Sequence, residues 1–213
     1  MEVSKEAPAN LRQLMSEVEH MALLRTDLAA LDAMAHGALF TGIGADSSVR
    51  HTVPVGERPK VTNPGPQYPN VLVPKLMCFT GAVKLANRYG NCEPATCACD
   101  ICDGRGLDRF DSPDGATRLE SEDHNILTWR EWASEMATYR PGADRQRWWR
   151  DKCAASVERY ALENQRIGVS SRAGFTPPPP LKAWATLPIA SPEQSPTVSE
   201  PTAGEAMPPE DKF

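Results

Sequence analysis

The stretch CACDICDGRG, residues 97–106, places three cysteines within six positions and follows them with two glycines. The 213-residue chain has six cysteines in all, so this stretch holds half of its thiols. Cys97, Cys99 and Cys102 lie too near one another to pair sensibly as disulfides among themselves. In a reducing compartment such a cluster is typical of a metal site. The sequence therefore predicts a fold that a metal ion stabilises at these residues.

A histidine further along the chain is expected to complete the site. The spacing C-x-C-x2-C is followed by His124 after 21 intervening residues. Three thiolates and one imidazole form a closed tetrahedral zinc site that leaves no open position for water. We therefore predict that Cys97, Cys99, Cys102 and His124 bind one structural Zn²⁺, with Cys92 as the reserve ligand.

The composition narrows the classes of protein to consider. Lys and Arg number 23 against 28 Asp and Glu, for a net charge of -5. This balance argues against a generally basic nucleic-acid coat protein but leaves room for a local basic patch. The opening residues MEVSKEAPAN lack the pattern of a secretory signal, and no apolar run approaches the ~20 residues of a membrane-spanning helix. We expect a soluble, cytoplasmic protein.

The pattern along the chain predicts an α+β, mainly helical fold in three parts. In residues 1–53, apolar spacing predicts a helix over 11–22, a second helix closed by Gly37, and a buried strand in ALFTGIG, residues 38–44. Residues 54–167 begin with an irregular stretch that carries six prolines up to position 74. Residues 168–213 hold ten of the twenty prolines, and their composition predicts a disordered tail.

Within the second part, the chain is expected to return to helix over residues 75–90. Residues 105–123 are loop-like and end at His124, which is expected at the start of a helix. A second long helix follows, whose buried stripe is predicted to consist of Trp149, Cys153, Val157, Tyr160, Asn164 and Ile167.

The cysteine spacing together with HNILTWREWASEM, residues 124–136, resembles the zinc subdomain of the tRNA-guanine transglycosylase family. In that family C-x-C-x2-C is followed by His-Asn at the head of a helix. The resemblance implies the same four zinc ligands and places Asn125 beside the site at the start of the helix.

A weaker likeness lies upstream, in ALFTGIGADSSVRHTVPVG, residues 38–56. It resembles the end of the last strand of the family's (β/α) barrel, particularly in the branch that acts on deazapurines in DNA. The resemblance implies that Asp46 is the nucleophile that attacks the ribose anomeric carbon and that Arg50 faces the nucleic-acid backbone. The alternative is a purely structural role, in which Asp46 caps a turn with Ser47 and Ser48.

The chain departs from the family in its length. A whole (β/α) barrel takes about 200–250 residues, whereas one predicted strand and two predicted helices precede the zinc segment here. The base pocket and the second catalytic aspartate of the family have no counterpart in the sequence. We therefore expect the C-terminal remnant of a barrel with an inserted zinc subdomain that is inactive alone. Either a second polypeptide supplies the missing strands, or the chain is a truncated gene product.

A local basic patch follows the first long helix. The stretch YRPGADRQRWWRDK, residues 139–152, has a surplus of three positive charges and two tryptophans. Arg145, Arg147 and Arg150 are the predicted phosphate contacts for tRNA or DNA. The bland alternative is an amphipathic helix with solvated arginines, and Trp149 fits that alternative because it lies on the apolar stripe.

Two functions stay open at this point. The first is the zinc-containing C-terminal portion of an enzyme that exchanges guanine for a 7-deazaguanine in tRNA or DNA. The alternative is a non-catalytic zinc-stabilised module that binds nucleic acid or assembles with another protein. A third, chaperone-like option rests on residues 99–106, which match C-x-x-C-x-G-x-G, the repeat of the zinc region in DnaJ-type chaperones. That region needs four such repeats, and the chain has one.

Overall fold

Helices and two small sheets build the described part of the chain. The computed structural model describes residues 6–45, 49–50, 65–169 and 174–189, and about 54% of them lie in helices. The α-helices are α1 (Ala7–Glu17), α2 (Ala29–Ala35), α3 (Ala82–Tyr89), α4 (Gly115–Ala137), α5 (Ala143–Arg166) and α6 (Pro179–Thr186). The strands are β1 (Ala22–Thr26), β2 (Phe40–Ile43), β3 (Asn70–Val73) and β4 (Cys78–Gly81), and short 3₁₀ helices cover Pro74–Leu76 and Leu107–Phe110.

Strands β1 and β2 are parallel, and α2 connects them. Ala22 is opposite Phe40, and a bulge separates the two ends of the ladder. The predicted helix α2 is confirmed, and Gly37 ends it with a φ of 98° that favours glycine. The prediction of helix up to residue 22 is wrong, because α1 ends at Glu17 and β1 follows. Strand β1 depends on pairing with a distant segment, and local apolar spacing does not report such pairing.

Strands β3 and β4 form an antiparallel hairpin around the 3₁₀ turn. Asn70 pairs with Gly81 and Val73 with Cys78. The prediction of helix over residues 75–90 holds only from Ala82 onward, because the residues before it form β4. Residues Val71 to Val73 are fully buried, since α4 packs against this strand.

The two long helices carry much of the buried surface. Helix α4 begins at Gly115, where the carboxylate of Asp114 accepts a hydrogen bond from the Thr117 amide at 2.8 Å. The predicted loop over residues 105–123 is therefore wrong in its second half. The predicted stripe of α5 is confirmed for its four buried members, Trp149, Cys153, Tyr160 and Asn164.

The first part of the proline-rich segment is folded, which corrects the prediction of disorder for residues 174–189. Phe175, Leu181 and Trp184 are buried, and the Trp184 ring lies 5.7 Å from that of Trp149. The Asn164 side chain accepts a hydrogen bond from the Phe175 amide and donates one to the Phe175 carbonyl. The average composition of residues 168–213 does not reveal these few apolar residues. Proline does not prevent the helix, because it is well suited to the first turn of α6. We call residues 174–189 the strap; residues 190–213 lie outside the described part.

One buried cluster joins these elements. It runs from Leu31 of α2, through the hairpin and α3, to Trp149 of α5 and Trp184 of the strap. Cys97 and Cys102 belong to this core, Cys99 packs against it, and all three thiols lie beside His124 of α4.

Candidate metal centre

A tight turn gathers the cysteines. The Cys99 carbonyl accepts hydrogen bonds from the amides of Cys102 (2.9 Å) and Asp103 (2.8 Å), and the Cys97 carbonyl accepts one from Gly104 (2.9 Å). Asp103 and Gly104 both have positive φ, 47° and 76°. This left-handed pair reverses the chain directly after Cys102, which leaves the three thiols close together on one side of the turn.

The thiols meet His124 in space. The Sγ atoms of Cys97, Cys99 and Cys102 and the His124 ring nitrogen all lie within 4.8 Å of one another. His124 Nδ1 is 3.2 Å from Cys102 Sγ and 3.5 Å from Cys99 Sγ. Tetrahedral zinc with ordinary bond lengths would separate a sulfur from a nitrogen ligand by about 3.6 Å and two sulfurs by about 3.8 Å. The cluster is therefore compatible with a metal ion such as zinc.

The orientation of His124 is fixed from its other side. The residue is fully buried, and its Nε2 lies 2.8 Å from the Leu72 carbonyl oxygen of β3. Because that carbonyl can only accept, Nε2 donates its proton, and the lone pair of Nδ1 faces the thiols. Metal-binding histidines are commonly held in this way.

The position of His124 corrects the prediction that it begins a helix. Both His124 and Asn125 lie near the middle of α4. Asn125 does not initiate the helix either: its Oδ1 accepts from the Leu72 amide at 2.7 Å, and its Nδ2 donates to the Asn70 carbonyl at 2.8 Å. Three hydrogen bonds from two consecutive residues of α4 thus hold β3 beside the cysteine turn.

Two further residues complete the surroundings of the cluster. The Phe110 ring lies 5.7 Å from the His124 ring. Arg109 donates to Cys102 Sγ at 3.4 Å and also contacts the Glu120 carboxylate at 3.2 Å. The sequence pattern did not indicate Arg109, because no spacing rule connects a cation to a cysteine seven positions earlier. Its positive charge favours thiolate at Cys102.

The protons of the three thiols are coupled. A hydrogen bond from Cys102 lowers the pKa of Cys97, whereas that same bond, together with burial, raises the pKa of Cys102 to about 11. Burial also raises the pKa of Cys99. A metal ion that binds here must therefore displace protons from the cluster, which makes binding weaker as the pH falls.

The remaining cysteines are not part of the cluster. Cys92, the predicted reserve ligand, is half-buried against the core, and it is not among the four clustered ligands. Cys78 lies in β4 and Cys153 in α5, where burial raises the pKa of each thiol. These two behave as ordinary buried thiols.

The predicted catalytic and backbone-facing residues differ in outcome. Asp46 lies outside the described residues. Arg50 is 4% exposed, and its Cζ lies 3.9 Å above the centroid of the Phe79 ring. Its Nη1 also donates to the Ala45 carbonyl at 3.2 Å. In this structure an aromatic ring and the Ala45 carbonyl contact the guanidinium, and the expectation that Arg50 faces a nucleic-acid backbone stays a prediction.

The three arginines of the predicted basic patch already have partners. Arg145 donates to the Tyr139 carbonyl at 3.0 Å. Arg147 is paired with Asp144 at 3.0 Å and Arg150 with Asp151 at 3.1 Å. Exposed ion pairs of this kind are weak and can be exchanged, but the neighbouring carboxylates cancel much of the local positive charge.

The two adjacent tryptophans have different roles. Trp149 is fully buried, as the stripe predicted. Trp148 is half-buried, its indole nitrogen donates to Glu135 at 2.9 Å, and Lys152 Nζ lies 4.8 Å from its ring centroid. A cation of the protein itself thus covers one face of the Trp148 ring.

Comparison of the chain with protein-family models, with curated proteins and with solved structures finds no match. Among the described residues, no helix is both long and apolar enough to cross a membrane. The sequence and the geometry therefore define the class: an α+β protein with a Cys₃His cluster compatible with a metal such as zinc.

Proposed function

We propose that Cys97, Cys99, Cys102 and His124 bind one Zn²⁺ whose role is structural. The observation that carries this proposal is the orientation of His124, whose Nε2 is held by the Leu72 carbonyl while Nδ1 faces the thiols. Four protein ligands fill a tetrahedral shell, so the ion has no free position for a substrate. Its chemistry here is to neutralise the thiolates and to join the cysteine turn to α4.

The metal content of the purified protein tests this first step. We expect one zinc per chain by mass spectrometry of the metal, and less than a tenth of that in the His124→Ala variant. Cys92→Ser is the matched control, since Cys92 is a half-buried cysteine outside the cluster, and it should keep its zinc. A folded wild-type protein without metal would contradict the proposal.

We further propose that the chain is the C-terminal portion of a transglycosylase-like enzyme that exchanges guanine for a 7-deazaguanine in tRNA or DNA. Two features support this proposal beside the C-x-C-x2-C and His-Asn motif. The unit β1–α2–β2 is parallel, which is the repeating unit of a (β/α) barrel. Asp46 follows the last residue of β2, Ile43, by three positions, and catalytic residues of such barrels follow their strands in this way.

The chemistry assigned to Asp46 is nucleophilic. Its carboxylate attacks the anomeric carbon of the nucleotide as the bond to guanine breaks, which leaves a covalent glycosyl ester on the protein. The incoming base then attacks the same carbon and releases the carboxylate. The described residues include two parallel strands, so a complete barrel requires further strands, and we propose that a second polypeptide supplies them.

The β1–β2 pair has the surface that such a partner needs. Within the described residues each of these strands has a neighbour on one edge only. By the register of the pair, Leu24 and Phe40 lie on the same face of the sheet, and they are 54% and 53% exposed. Parallel strands are normally covered on both faces, and this pair is covered by α2 on one.

Base exchange with a reconstituted pair of proteins tests the enzymatic proposal. The chain is mixed with the product of the neighbouring reading frame, and incorporation of labelled guanine into tRNA and into duplex DNA is measured. We expect activity only in the mixture, and at least a thousandfold loss with Asp46→Asn. Asp123→Asn, at an exposed carboxylate on α4, is the control and should keep full activity.

The second candidate is a non-catalytic zinc-stabilised module. The burial of Arg50 and the internal pairing of Arg147 and Arg150 favour it, because these side chains make contacts within the protein. It predicts that Asp46→Asn changes no measurable property of the protein or of its complexes, whereas loss of the metal unfolds the region around α4.

A further inference from the structure

A cavity of about 280 Å³ lies between the 3₁₀ turn Pro74–Leu76, the loop before Cys97 and the C-terminal half of α5. Val73, Leu76, Pro94 and Ala95 supply apolar wall, and five charged residues line the cavity as well: Lys75, Arg159, Arg166, Glu93 and Glu163. Neither the metal cluster nor the predicted basic patch uses any of them.

Two of the five charges neutralise each other. Arg166 donates from Nε and Nη2 to the Glu163 carboxylate, and its Nη1 donates to the Glu93 carbonyl oxygen. Glu163 also accepts the hydroxyl proton of Tyr89. Although burial opposes it, these bonds from Arg166 and Tyr89 lower the pKa of Glu163, which keeps the carboxylate charged. The pair therefore forms a fixed side of the cavity.

Lys75 and Arg159 are the cations that remain. Within the described residues, neither side chain has a hydrogen bond or an ion pair, and both are exposed residues that line the cavity. The Lys75 ammonium also acts electrostatically on the Glu163 carboxylate, although it forms no ion pair with it. The backbone that carries Lys75 is tied to α5, because its carbonyl accepts from Ser156 and the Leu76 carbonyl accepts from Tyr160 at 2.8 Å. The two cations are thus held on elements that are packed together.

We propose that this cavity binds a phosphate group, as a phosphomonoester or as a phosphodiester of a nucleic acid. An ammonium and a guanidinium over an apolar wall suit such an anion, since the wall reduces the competing hydration. The volume of about 280 Å³ is just below the roughly 300–1,000 Å³ of most ligand cavities, which suits phosphate with a small attached group. The Glu93 carboxylate opposes the anion and weakens its binding.

Perturbation of backbone amide resonances tests the proposal in the full-length protein. Inorganic phosphate and uridine 5′-monophosphate are titrated separately, and the shifts at Leu76, Thr96 and Arg159 are followed. We expect saturable shifts, affinity reduced about tenfold by Lys75→Ala or Arg159→Ala, and affinity raised severalfold by Glu93→Gln. Arg130→Ala removes an exposed cation of α4 that does not line the cavity, and it should leave the affinity unchanged.

The affinities of the variants for phosphate decide whether this cavity is the binding site. Loss of binding in the two alanine variants with a gain in Glu93→Gln supports the site. Equal shifts in the wild-type protein and the Lys75→Ala/Arg159→Ala variant, or weaker binding by Glu93→Gln, would overturn it. The three substitutions are at exposed side chains, so the variants should fold, and the amide spectra will show whether they do.

A third titration identifies the source of the phosphate. If a single-stranded oligonucleotide produces the shifts at concentrations where neither inorganic phosphate nor uridine 5′-monophosphate does, the ligand is a nucleic-acid phosphodiester. If uridine 5′-monophosphate saturates the site first, the ligand is a free phosphomonoester. The absence of shifts with all three probes would contradict the proposal. Because the readout involves neither zinc content nor base exchange, its failure is distinguishable from failure of the proposed function.

Discussion

The β3–β4 hairpin and the β1–β2 pair are both two-stranded sheets, but their surroundings differ. Side chains of α4 form hydrogen bonds with the backbone of Asn70 and Leu72 at the outer edge of β3. Residues Val71 to Val73 of this strand are fully buried. Among the described residues, α2 packs against the β1–β2 pair, and Leu24 and Phe40 of this pair are more than half exposed. Side chains of the chain itself therefore cover the edge of β3, whereas the parallel pair keeps large apolar side chains in contact with solvent.

Loss of the metal cluster should have the largest effect on stability, and we expect this effect in the hairpin region. We expect Cys102→Ser to abolish zinc binding and to remove most of the roughly 10–16 kcal/mol that a structural zinc site of this kind contributes. Near-ultraviolet circular dichroism and the cooperativity of urea unfolding measure the loss. Cys92→Ser serves again as the control. An equal loss of stability in both variants would contradict the expectation that the cluster stabilises the hairpin region.

Removal of the strap anchor should have the next largest effect. Trp184 is buried against Trp149, and a Trp→Ala change at such a site costs about 3–5 kcal/mol of unfolding free energy. The exposed neighbour Lys182→Ala should change the free energy by less than about 0.5 kcal/mol. If Trp184→Ala were as stable as Lys182→Ala, the strap would not be part of the core.

The edge of β3 can be weakened without touching a ligand. Asn125→Ala leaves a buried amide and a half-buried carbonyl without partners, which should cost about 2–4 kcal/mol. We expect zinc content to stay at one per chain while the midpoint of urea unfolding falls. Asn87→Ala, at an exposed amide on α3, is the control. A complete loss of zinc in Asn125→Ala would show that the cluster and the edge are a single unit.

Acid should loosen the β1–α2–β2 region through His36. Burial lowers the pKa of His36 below its ordinary value of 6.5, against the opposing effect of the nearby Asp32 carboxylate. The unfolded chain therefore takes up this proton at a higher pH than the folded chain does. The contribution of neutral His36 to the free energy of unfolding is complete above the ordinary pKa and is lost as the pH falls below it. Urea unfolding at pH 7.5 and at pH 5.5 should show a smaller difference for His36→Gln than for the wild type. The same difference in both proteins would contradict this assignment.

The smallest effect on stability is expected at the exposed face of the parallel pair. Leu24→Ser and Phe40→Ser should each change the unfolding free energy of the isolated chain by less than about 1 kcal/mol, because both side chains are already half in water. The same changes should weaken binding of a strand-supplying partner at least tenfold, measured by co-purification and calorimetry. A large loss of stability without a partner would show that this face packs within the chain.

The sequence was informative where a local pattern decides the structure. The spacing of Cys97, Cys99 and Cys102 with His124 predicted the cluster, and the apolar repeat predicted the buried face of α5. Zinc itself, the kinship with transglycosylases and the role of Asp46 stay predictions.

The sequence misled where distant contacts decide. Strand β1 exists through its pairing with β2, and the folded strap depends on Asn164, which lies eleven positions before Phe175. The start of α4 was predicted nine residues too late for a local reason: the capping by Asp114 was not recognised, and His124 was taken as the end of a loop. In all three cases the apolar period does not report the stabilising contact.

The side chain of Asn125 has a consequence for solubility. An uncovered strand edge is a template for pairing with another copy, and proteins commonly block such edges. In this chain an asparagine within a helix blocks β3 by occupying the amide of Leu72 and the carbonyl of Asn70. A variant that lacks this amide leaves the Leu72 amide and the Asn70 carbonyl without partners, whereas the Leu72 carbonyl keeps its bond to His124, so we expect slow aggregation in storage.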